Sequence, residues 1–212
     1  MKTTRVLVAD DHASVRQMLA LTLASDGAFQ VVGEAGTGFE TVKQCRNLKP
    51  DLLILDLLLP ELNGLEVLRE LRNSGSESRF LIYSGTQNEA LIAAALRARP
   101  HGFVHKRDSL ATFRDALRAV SAGCCFFTPF ATRLLDSPGS GHFEDGGLTD
   151  RERAVLQMIA EGMSNKEMAD RLAIACKTVE HHRAHLMDKL NMHDVAHLTR
   201  YAVRLGIVTG VE

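Results

Sequence analysis

The sequence predicts a doubly wound α/β domain with a five-stranded parallel sheet, followed by an all-α domain. Short apolar runs alternate with helical patterns five times between Arg5 and about residue 122, and from Leu148 onward only helical patterns remain. Alternation of strands and helices is typical of a parallel sheet that helices cover on both faces. A length of 212 residues is also sufficient for two domains.

The five strand–helix pairs of the first domain follow from the spacing of apolar residues. The strand-like runs are RVLVA, FQVVGEA, DLLILD, FLIYS and GFVHK, and helices are predicted at residues 14–23, 37–48, 64–72, 88–97 and 109–121. The first helix is expected to turn inward its apolar residues Val15, Met18, Leu19 and Leu23. The third strand is too apolar to be exposed on either face.

Residues 123–147 are predicted to link the domains, with a short helix before residue 136. The stretch DSPGSGHFEDGG, from Asp136 to Gly147, has the composition of a flexible linker. Residues 148–212 form the second domain, with helices predicted at 150–161, 165–172, 177–190 and 194–205. Thr149 and Glu152 have the spacing of a capping box at the start of the first of these helices.

Composition and charge exclude several classes of protein. The formal net charge of −1 argues against a globally basic nucleic-acid-binding protein, so any such activity must be local. The N-terminus MKTTRVLVADD reaches two aspartates before it completes an apolar core, so a signal peptide is not expected. No apolar run approaches the roughly 20 residues of a membrane span. The four cysteines show no metal-ligand spacing, and a cytoplasmic protein with no membrane partner is expected.

Polar residues collect where the predicted strands end. Asp10 and Asp11 follow the first strand, and three further residues end the third, fourth and fifth strands: Asp56, Ser84 and Lys106. Because functional groups of a doubly wound sheet gather at the carboxyl ends of its strands, these side chains are expected to converge. Three carboxylates in one crevice repel each other unless a hard divalent cation lies between them, and Mg²⁺ suits such a site.

The chemistry predicted for this pocket is phosphorylation of Asp56. A lysine ammonium would stabilise an anion attached to Asp56, and a serine hydroxyl would donate a hydrogen bond to it. Aspartates at strand ends are also common as turn residues and helix caps, and Asp51 is expected only to open its strand. One aspartate alone would therefore be structural more often than not, whereas five residues on four strand ends favour a phosphoacceptor site.

Residues 1–122 resemble the receiver domain of bacterial two-component response regulators, which has a flavodoxin-like fold. The pair DD, the block LDLLLPELNG and the later serine-to-lysine spacing match that family. The resemblance implies that Asp56 is the phosphoacceptor and that Asp11 and Asp56 bind Mg²⁺ directly. It also implies that the backbone carbonyl of Leu58 is a third protein ligand and that Asp10 helps to hold the metal-bound waters.

Ser84 and Phe103 occupy the positions of the family's switch pair, a hydroxyl and an aromatic ring that rearrange together on phosphorylation. A hydroxyl drawn toward a new phosphoryl group leaves space that a neighbouring ring can fill. The sequence departs from the family in having Phe103 for the frequent tyrosine, Arg99 and Pro100 for a Gly-Ala pair, and Arg107 for proline. These departures lie where receivers commonly pair, so they bear on dimer geometry more than on the chemistry.

The segment MSNKEMADRLAIACKTVEHHRAHLMDKL is predicted to be a helix, a short turn and a second helix. The outer face of the second helix is polar, with cations near its N-terminus, and such a helix fits the DNA major groove. Residues 148–212 contain nine Lys or Arg and nine Asp or Glu, so the domain is neutral overall. Charge and periodicity alone therefore leave a solvated helical bundle open as an alternative to a DNA-binding domain.

The longer segment LTDRERAVLQMIAEGMSNKEMADRLAIACKTVEHHRAHLMDKL closely resembles the LuxR-type helix-turn-helix of response regulators of the NarL/FixJ class. By position, the residues that would face base edges are Glu180, His181 and Ala184, and the candidates for DNA backbone contacts are Lys177, Thr178, Arg183 and Lys189. The helix at 194–205 resembles the element through which two such domains pair on DNA, with the contacts Leu198, Tyr201 and Ala202. Ala175 replaces a frequent capping serine, and loss of a cap typically costs about 0.5–2 kcal/mol.

The two resemblances together imply a DNA-binding transcription regulator that phosphorylation controls. A sensor histidine kinase would phosphorylate Asp56 in the presence of Mg²⁺. The chain would bind double-stranded DNA, and it would form a homodimer when it is phosphorylated or bound to DNA. No enzyme activity is expected beyond the receiver's own phosphorylation and dephosphorylation. Three alternatives stay open. The first is a phosphate-relay or protein-interaction module whose helical domain binds no DNA. The second is a phosphate-ester hydrolase, which the lack of a residue to activate water disfavours, and the third is a regulator that is active without phosphate, which the intact pocket disfavours.

Overall fold

The computed structural model describes residues 3–136 and 146–208 of the chain. Its strands are β1 (Thr4–Ala9), β2 (Phe29–Ala35), β3 (Leu52–Leu55), β4 (Arg79–Ser84), β5 (Gly102–His105) and β6 (Phe126–Phe127). They form one parallel sheet in the order β2-β1-β3-β4-β5-β6. The predicted doubly wound fold is confirmed, and the number of strands is corrected from five to six.

Five helices connect the first five strands and lead into the sixth. They are α1 (Ala13–Ala24), α2 (Gly38–Leu48), α3 (Gly64–Asn73), α4 (Glu89–Arg97) and α5 (Leu110–Ser121), and each bound lies within one residue of its prediction. Thr37, Asn63 and Asn88 cap α2, α3 and α4 by accepting a hydrogen bond from a backbone N–H of the first turn. These caps satisfy donors that a helix leaves unpaired at its N-terminus.

The helices cover the sheet on both faces. Leu19 and Leu23 of α1 pack with Phe113 and Leu117 of α5 on one face, and α2, α3 and α4 cover the other face. Met18, which the sequence places inward, is instead 40% exposed. It lies at the border of the buried stripe, because that stripe runs through Leu19, Thr22 and Leu23.

The structure shortens the predicted linker from its N-terminal side. Phe126 and Phe127 form β6 on the edge of β5, and α6 (Pro129–Asp136) follows in the place of the predicted short helix. Helix α6 packs against α4, with Ala131 and Leu134 buried. Two residues are too few to show the alternating pattern of a strand, which is why β6 was not predicted. Residues 137–145 of the predicted linker lie outside the described residues.

The second domain, as far as residue 208, contains the four predicted helices: α7 (Asp150–Ala160), α8 (Asn165–Leu172), α9 (Cys176–Leu190) and α10 (Val195–Leu205). The capping box of Thr149 and Glu152 is confirmed at the start of α7. Ala175 precedes α9 in the N-cap position and no side chain caps the helix, so the missing serine has no local substitute among the described side chains. None of the described helices is both long enough and apolar enough to span a membrane.

Arg99 shows how one departure from the family is accommodated. Its backbone adopts the left-handed conformation, with φ at 57°, two residues after the end of α4. Glycine adopts this conformation at little steric cost, whereas a residue with a Cβ is strained in it. Arg99 therefore makes this left-handed turn at a cost in backbone strain.

Candidate functional site

Four side chains at the carboxyl ends of four strands meet in one pocket. Asp10 follows β1, Asp56 follows β3, Ser84 ends β4 and Lys106 follows β5. The Nζ atom of Lys106 lies 2.6 Å from Asp10 Oδ2 and 2.5 Å from Asp56 Oδ2. The hydroxyl of Ser84 donates to Asp56 Oδ1 at 2.5 Å. The sheet thus brings together four of the five residues that the strand ends single out, and both oxygens of Asp56 accept from a side chain.

Burial determines the electrostatics of this pocket. Asp10 and Asp56 are 1% and 3% exposed. Burial raises the pKa of Asp10, and the hydrogen bond from Lys106 offsets only part of that rise. Burial also acts to lower the pKa of Lys106, but the charges of Asp56 and Asp10 outweigh it and the pKa is raised. The lysine is therefore held as an ammonium between two carboxylates.

Asp11 lies at the exposed rim of the pocket, beside His12. Its Oδ1 lies 2.6 Å from His12 Nδ1, and the His12 backbone N–H donates to Asp10 Oδ1 at 3.0 Å. The ligand atoms of Asp10, Asp11 and His12 all lie within 4.8 Å of one another. Arg16 supports this turn by donating to the Asp10 carbonyl at 2.7 Å. Sequence reasoning missed His12, although a metal-ligand residue directly after two acids was an available signal.

Leu58 belongs to the same pocket, and Phe103 lies inside the core. The backbone N–H of Leu58 donates to Asp56 Oδ1 at 3.1 Å, which places this peptide next to the candidate phosphoacceptor. Phe103 is fully buried. Its ring is therefore already turned inward in the state in which Ser84 donates to Asp56. The ring does not need to rotate further inward to fill space that a moving Ser84 would leave.

Helix α7 packs on the loop between β3 and α3. The side chain of Gln157 donates to the Leu59 carbonyl at 2.7 Å and accepts from the Asn63 backbone N–H at 2.8 Å. The Glu161 carboxylate accepts from the Glu61 backbone N–H at 3.0 Å. The first helix of the second domain thus satisfies backbone groups of the loop that begins at the candidate phosphoacceptor.

Two ion pairs extend this contact between the domains. Arg153 Nε lies 2.9 Å from Glu66 Oε1, and Arg69 Nη1 lies 2.8 Å from the same oxygen. Glu66 is 3% exposed, and burial raises its pKa even though both arginines act to lower it. Arg171 of α8 lies 2.9 Å from Glu61 Oε1. Sequence reasoning missed this network because acidic, basic and amide residues on a helix usually indicate a solvated face.

The predicted recognition face of α9 is open to solvent. All five of its outermost candidates are exposed: Lys177, Thr178, Glu180, His181 and Ala184. The contacts with the first domain come from α7, α8 and the end of α10, where a side chain at Gly206 would collide with Asn88. Docking of the two domains therefore leaves this face of α9 accessible.

Arg183 and Lys189 are engaged within the helical domain. Arg183 Nη1 donates to Asn165 Oδ1 at 2.5 Å, and Lys189 Nζ lies 2.7 Å from Glu152 Oε2. The Lys189 contact belongs to the capping box of α7, where it helps to lower the pKa of Glu152 against the opposing effect of burial. A DNA backbone contact by either residue would have to compete with these partners.

The structure corrects the prediction for α10. Leu198 and Ala202 are fully buried and Tyr201 is 7% exposed, because this side of α10 packs against α7. These three side chains fill the core of the helical domain, so they do not form a surface on which a second copy could pair. The exposed large apolar residues of α10 are Val195 and Val203. Helical spacing marks an apolar stripe but does not identify what covers it.

The chain matches two protein families. Residues 6–118 match the response regulator receiver domain. Residues 147–202 match the bacterial regulatory proteins of the luxR family. The first match contains the whole acidic pocket, and the second contains the recognition face of α9.

Related proteins match the chain over nearly its full length. The transcriptional activator protein ExaE of Pseudomonas putida is 35% identical over 208 residues, which are 96% of this chain and 97% of that protein. The DNA-binding transcriptional activator DevR/DosR of Mycobacterium tuberculosis is 34% identical over 206 residues, 95% of this chain and 94% of that protein. A solved structure that matches is RcsB from Salmonella enterica serovar Typhimurium bound to promoter rprA in the presence of the phosphomimetic BeF3⁻. It aligns with a TM-score of 0.61 and 25% identity, over 94% of this chain and 98% of that chain. These similarities favour DNA binding over the protein-interaction alternative.

Proposed function

The chain belongs to the response regulators that join a receiver domain to a LuxR-family DNA-binding domain, and we propose that phosphorylation of Asp56 controls it. The observation that carries this proposal is the environment of the Asp56 carboxylate. It is almost completely buried, yet Lys106 lies 2.5 Å from one oxygen and Ser84 donates to the other. A buried carboxylate is costly unless it is paired. Its position at the carboxyl ends of the strands supports a reactive role.

The proposed Mg²⁺ ligands are the carboxylates of Asp11 and Asp56 and the backbone carbonyl of Leu58, with Asp10 holding metal-bound waters. Three carboxylates against the one ammonium of Lys106 leave an excess of negative charge in the pocket, which a divalent cation with oxygen ligands would neutralise. The bound ion would supply charge neutralisation to the phosphoryl group. The imidazole of His12 suits Mg²⁺ poorly, and its contact with Asp11 gives it the role of orienting that carboxylate.

The residues of the pocket have separate parts in the proposed phosphorylation. An oxygen of Asp56 forms a bond to phosphorus as the bond between phosphorus and the imidazole nitrogen of a sensor histidine kinase breaks. Lys106 can follow the negative charge from the carboxylate onto the phosphoryl oxygens. Ser84 can then donate to a phosphoryl oxygen in place of Asp56 Oδ1. Departure of Lys106 from Asp10 would free that carboxylate for the metal-bound waters.

We propose that the loop from β3 to α3 transmits phosphorylation of Asp56 to the second domain. This loop starts at Asp56, and its backbone groups at Leu59 and Asn63 are bonded to Gln157 of α7. A shift of the loop on phosphorylation would therefore change how the second domain is held.

DNA binding is proposed to increase through pairing of two copies. The recognition face of α9 is already exposed, so the switch does not need to uncover it. A homodimer would present two recognition helices to successive major grooves and gain occupancy by linking two binding events. A regulator that binds chromosomal double-stranded DNA in this way would act in the cytoplasm.

Lys177→Ala tests the proposed DNA-binding face. Loss of one phosphate contact is expected to weaken binding on all sequences and to reduce the slope of log affinity against log salt by about 1. The measurement is fluorescence anisotropy at several salt concentrations, with DNA selected from random sequence. Lys43→Ala removes an equal charge from the exposed face of α2 and should change neither quantity. An unchanged slope in Lys177→Ala would remove Lys177 from the interface, and no retention of DNA by the wild type at any salt would contradict the DNA-binding function.

A further inference from the structure

Helix α9 carries two histidines one turn apart on its exposed side. His181 and His185 are four positions apart, a spacing that places side chains next to each other on a helix. Their ring centroids lie 4.1 Å apart with an interplanar angle of 49°, and both side chains are exposed. Among the residues that the structure describes, neither ring has a hydrogen-bond or ion-pair partner, so the nitrogens of both rings are available to a ligand.

We propose that His181 and His185 form a binding site for a divalent transition metal of the class that prefers imidazole. Two nitrogens bound to one metal at about 2.0–2.1 Å lie about 2.9–3.3 Å apart, a separation that two rings at this centroid distance can reach by side-chain rotation. Two histidines four positions apart on one helix face are also how HExxH helices hold zinc. Among divalent first-row metals, Cu²⁺ binds such nitrogen ligands most tightly.

The site has two protein ligands and remains open. Within residues 3–136 and 146–208, only one group of three or more metal-ligand side chains is close enough to share an ion. That group is Asp10, Asp11 and His12 in the phosphoacceptor pocket, so within these ranges no third ligand joins His181 and His185. A metal on His181 and His185 would therefore keep water in its other coordination positions and exchange readily. Mg²⁺ prefers oxygen ligands and belongs to the acidic pocket, so the two classes of metal are expected to separate between the two sites.

The bound metal would compete with DNA. His181 is a proposed base-edge contact, and a ring nitrogen bound to a metal cannot also bond to a base. By linkage, metal and DNA would then lower each other's affinity by the same factor. This consequence rests on the proposed DNA-binding function, whereas the metal site itself does not.

Direct metal binding tests the site. The full chain, with Mg²⁺ in excess to occupy the acidic pocket, is titrated with Cu²⁺ at about pH 8, because histidine binds a metal through an unprotonated nitrogen. The imidazole resonances are followed by NMR and assigned through single substitutions. The rings of His181 and His185 are expected to broaden at the lowest copper concentrations. Broadening that begins at any other histidine would overturn the proposal.

A matched pair of variants separates the site from general copper binding. His185→Gln is expected to lower the affinity for Cu²⁺ at His181 by at least about tenfold. Removal of a residue that only hydrogen-bonds to a metal ligand already causes a loss of about this size. His182 is the control, since its ring is farther from His181, at 6.3 Å, and does not stand one turn away from it. His182→Gln is expected to retain full affinity, and equal losses in the two variants would overturn the proposal.

DNA retention with and without Cu²⁺ tests the competition. Copper is expected to lower DNA retention of the wild type, and a chelator is expected to reverse this effect. The same loss of retention in His185→Gln is expected to need at least about ten times as much copper. An equal copper effect on both proteins would contradict competition at this site. If the wild type retains no DNA even without copper, the proposed function is wrong, and the NMR titration still decides the metal site.

Discussion

Asp56→Asn is expected to abolish uptake of a phosphoryl group from a small phosphodonor in the presence of Mg²⁺. An asparagine amide cannot act as the carboxylate nucleophile that forms the acyl phosphate. The side chain keeps its size, and Lys106 keeps its 2.6 Å ion pair with Asp10, so the fold is expected to persist. Uptake is measured from the mass of the intact protein, and folding from its circular dichroism spectrum.

The matched control for this variant lies at the other end of the same strand. Asp51 precedes β3, and its Oδ2 accepts from the Arg5 backbone N–H at 2.8 Å. An asparagine oxygen can accept the same hydrogen bond, so Asp51→Asn is expected to take up as much phosphate as the wild type. Uptake by Asp56→Asn would contradict the assignment of the phosphoacceptor.

Arg153→Met is expected to loosen the contact between the domains and to lower the free energy of unfolding by about 3 kcal/mol. The variant leaves Glu66 buried with Arg69 as its remaining charged partner. Because that partner remains, the expected loss lies at the lower end of the range for a broken buried ion pair. Urea denaturation measures the stability, and the radius of gyration from small-angle X-ray scattering shows whether the domains separate.

Two further variants test whether the buried charge is the cause. Arg151→Met removes an exposed arginine from the same turn of α7 and should have little effect on stability. Glu66→Gln combined with Arg153→Met removes the buried charge that is left with Arg69 alone, and it should recover part of the loss. Equal stability of the two single arginine variants would contradict a structural role for this ion pair.

The carboxyl group of Glu66 also makes the stability of the protein depend on pH. Burial raises the pKa of Glu66 in the folded protein, so between its ordinary and its raised pKa the folded state binds more protons than the unfolded state. The contribution of Glu66 to stability is therefore greatest below the ordinary pKa and decreases as the pH rises through the raised pKa. This component of the pH dependence should be absent in Glu66→Gln.

The sequence predicted the parallel sheet well because its strands and helices have distinct apolar periods. Every predicted helix of the first domain lies within one residue of its observed bounds. Strand ends then identified Asp10, Asp56, Ser84 and Lys106, because a parallel sheet gathers its carboxyl ends on one edge. The pattern of apolar residues could not show β6, which has only two residues.

The sequence could not predict which surfaces meet. Gln157, Glu161 and Arg153 have the pattern of an ordinary polar helix face. Only the fold brings them to the β3–α3 loop and the first turn of α3, which are roughly a hundred positions away in the chain. The apolar stripe of α10 predicts a contact surface and its likeness to the family predicts a second copy as the partner, whereas the stripe packs against α7. In both cases the local pattern showed that a surface was polar or apolar but carried no information about its partner.

The most direct test compares DNA with one half-site and DNA with two half-sites, each obtained by selection from random sequence. The affinity of the full chain for both is measured with and without a small phosphodonor and Mg²⁺. Phosphorylation is predicted to raise the affinity for paired half-sites and to leave that for a single half-site nearly unchanged, because the recognition face of α9 is already exposed. Unchanged affinity for the paired half-sites would contradict control of DNA binding by Asp56, and an equal rise on both DNAs would contradict pairing as its basis.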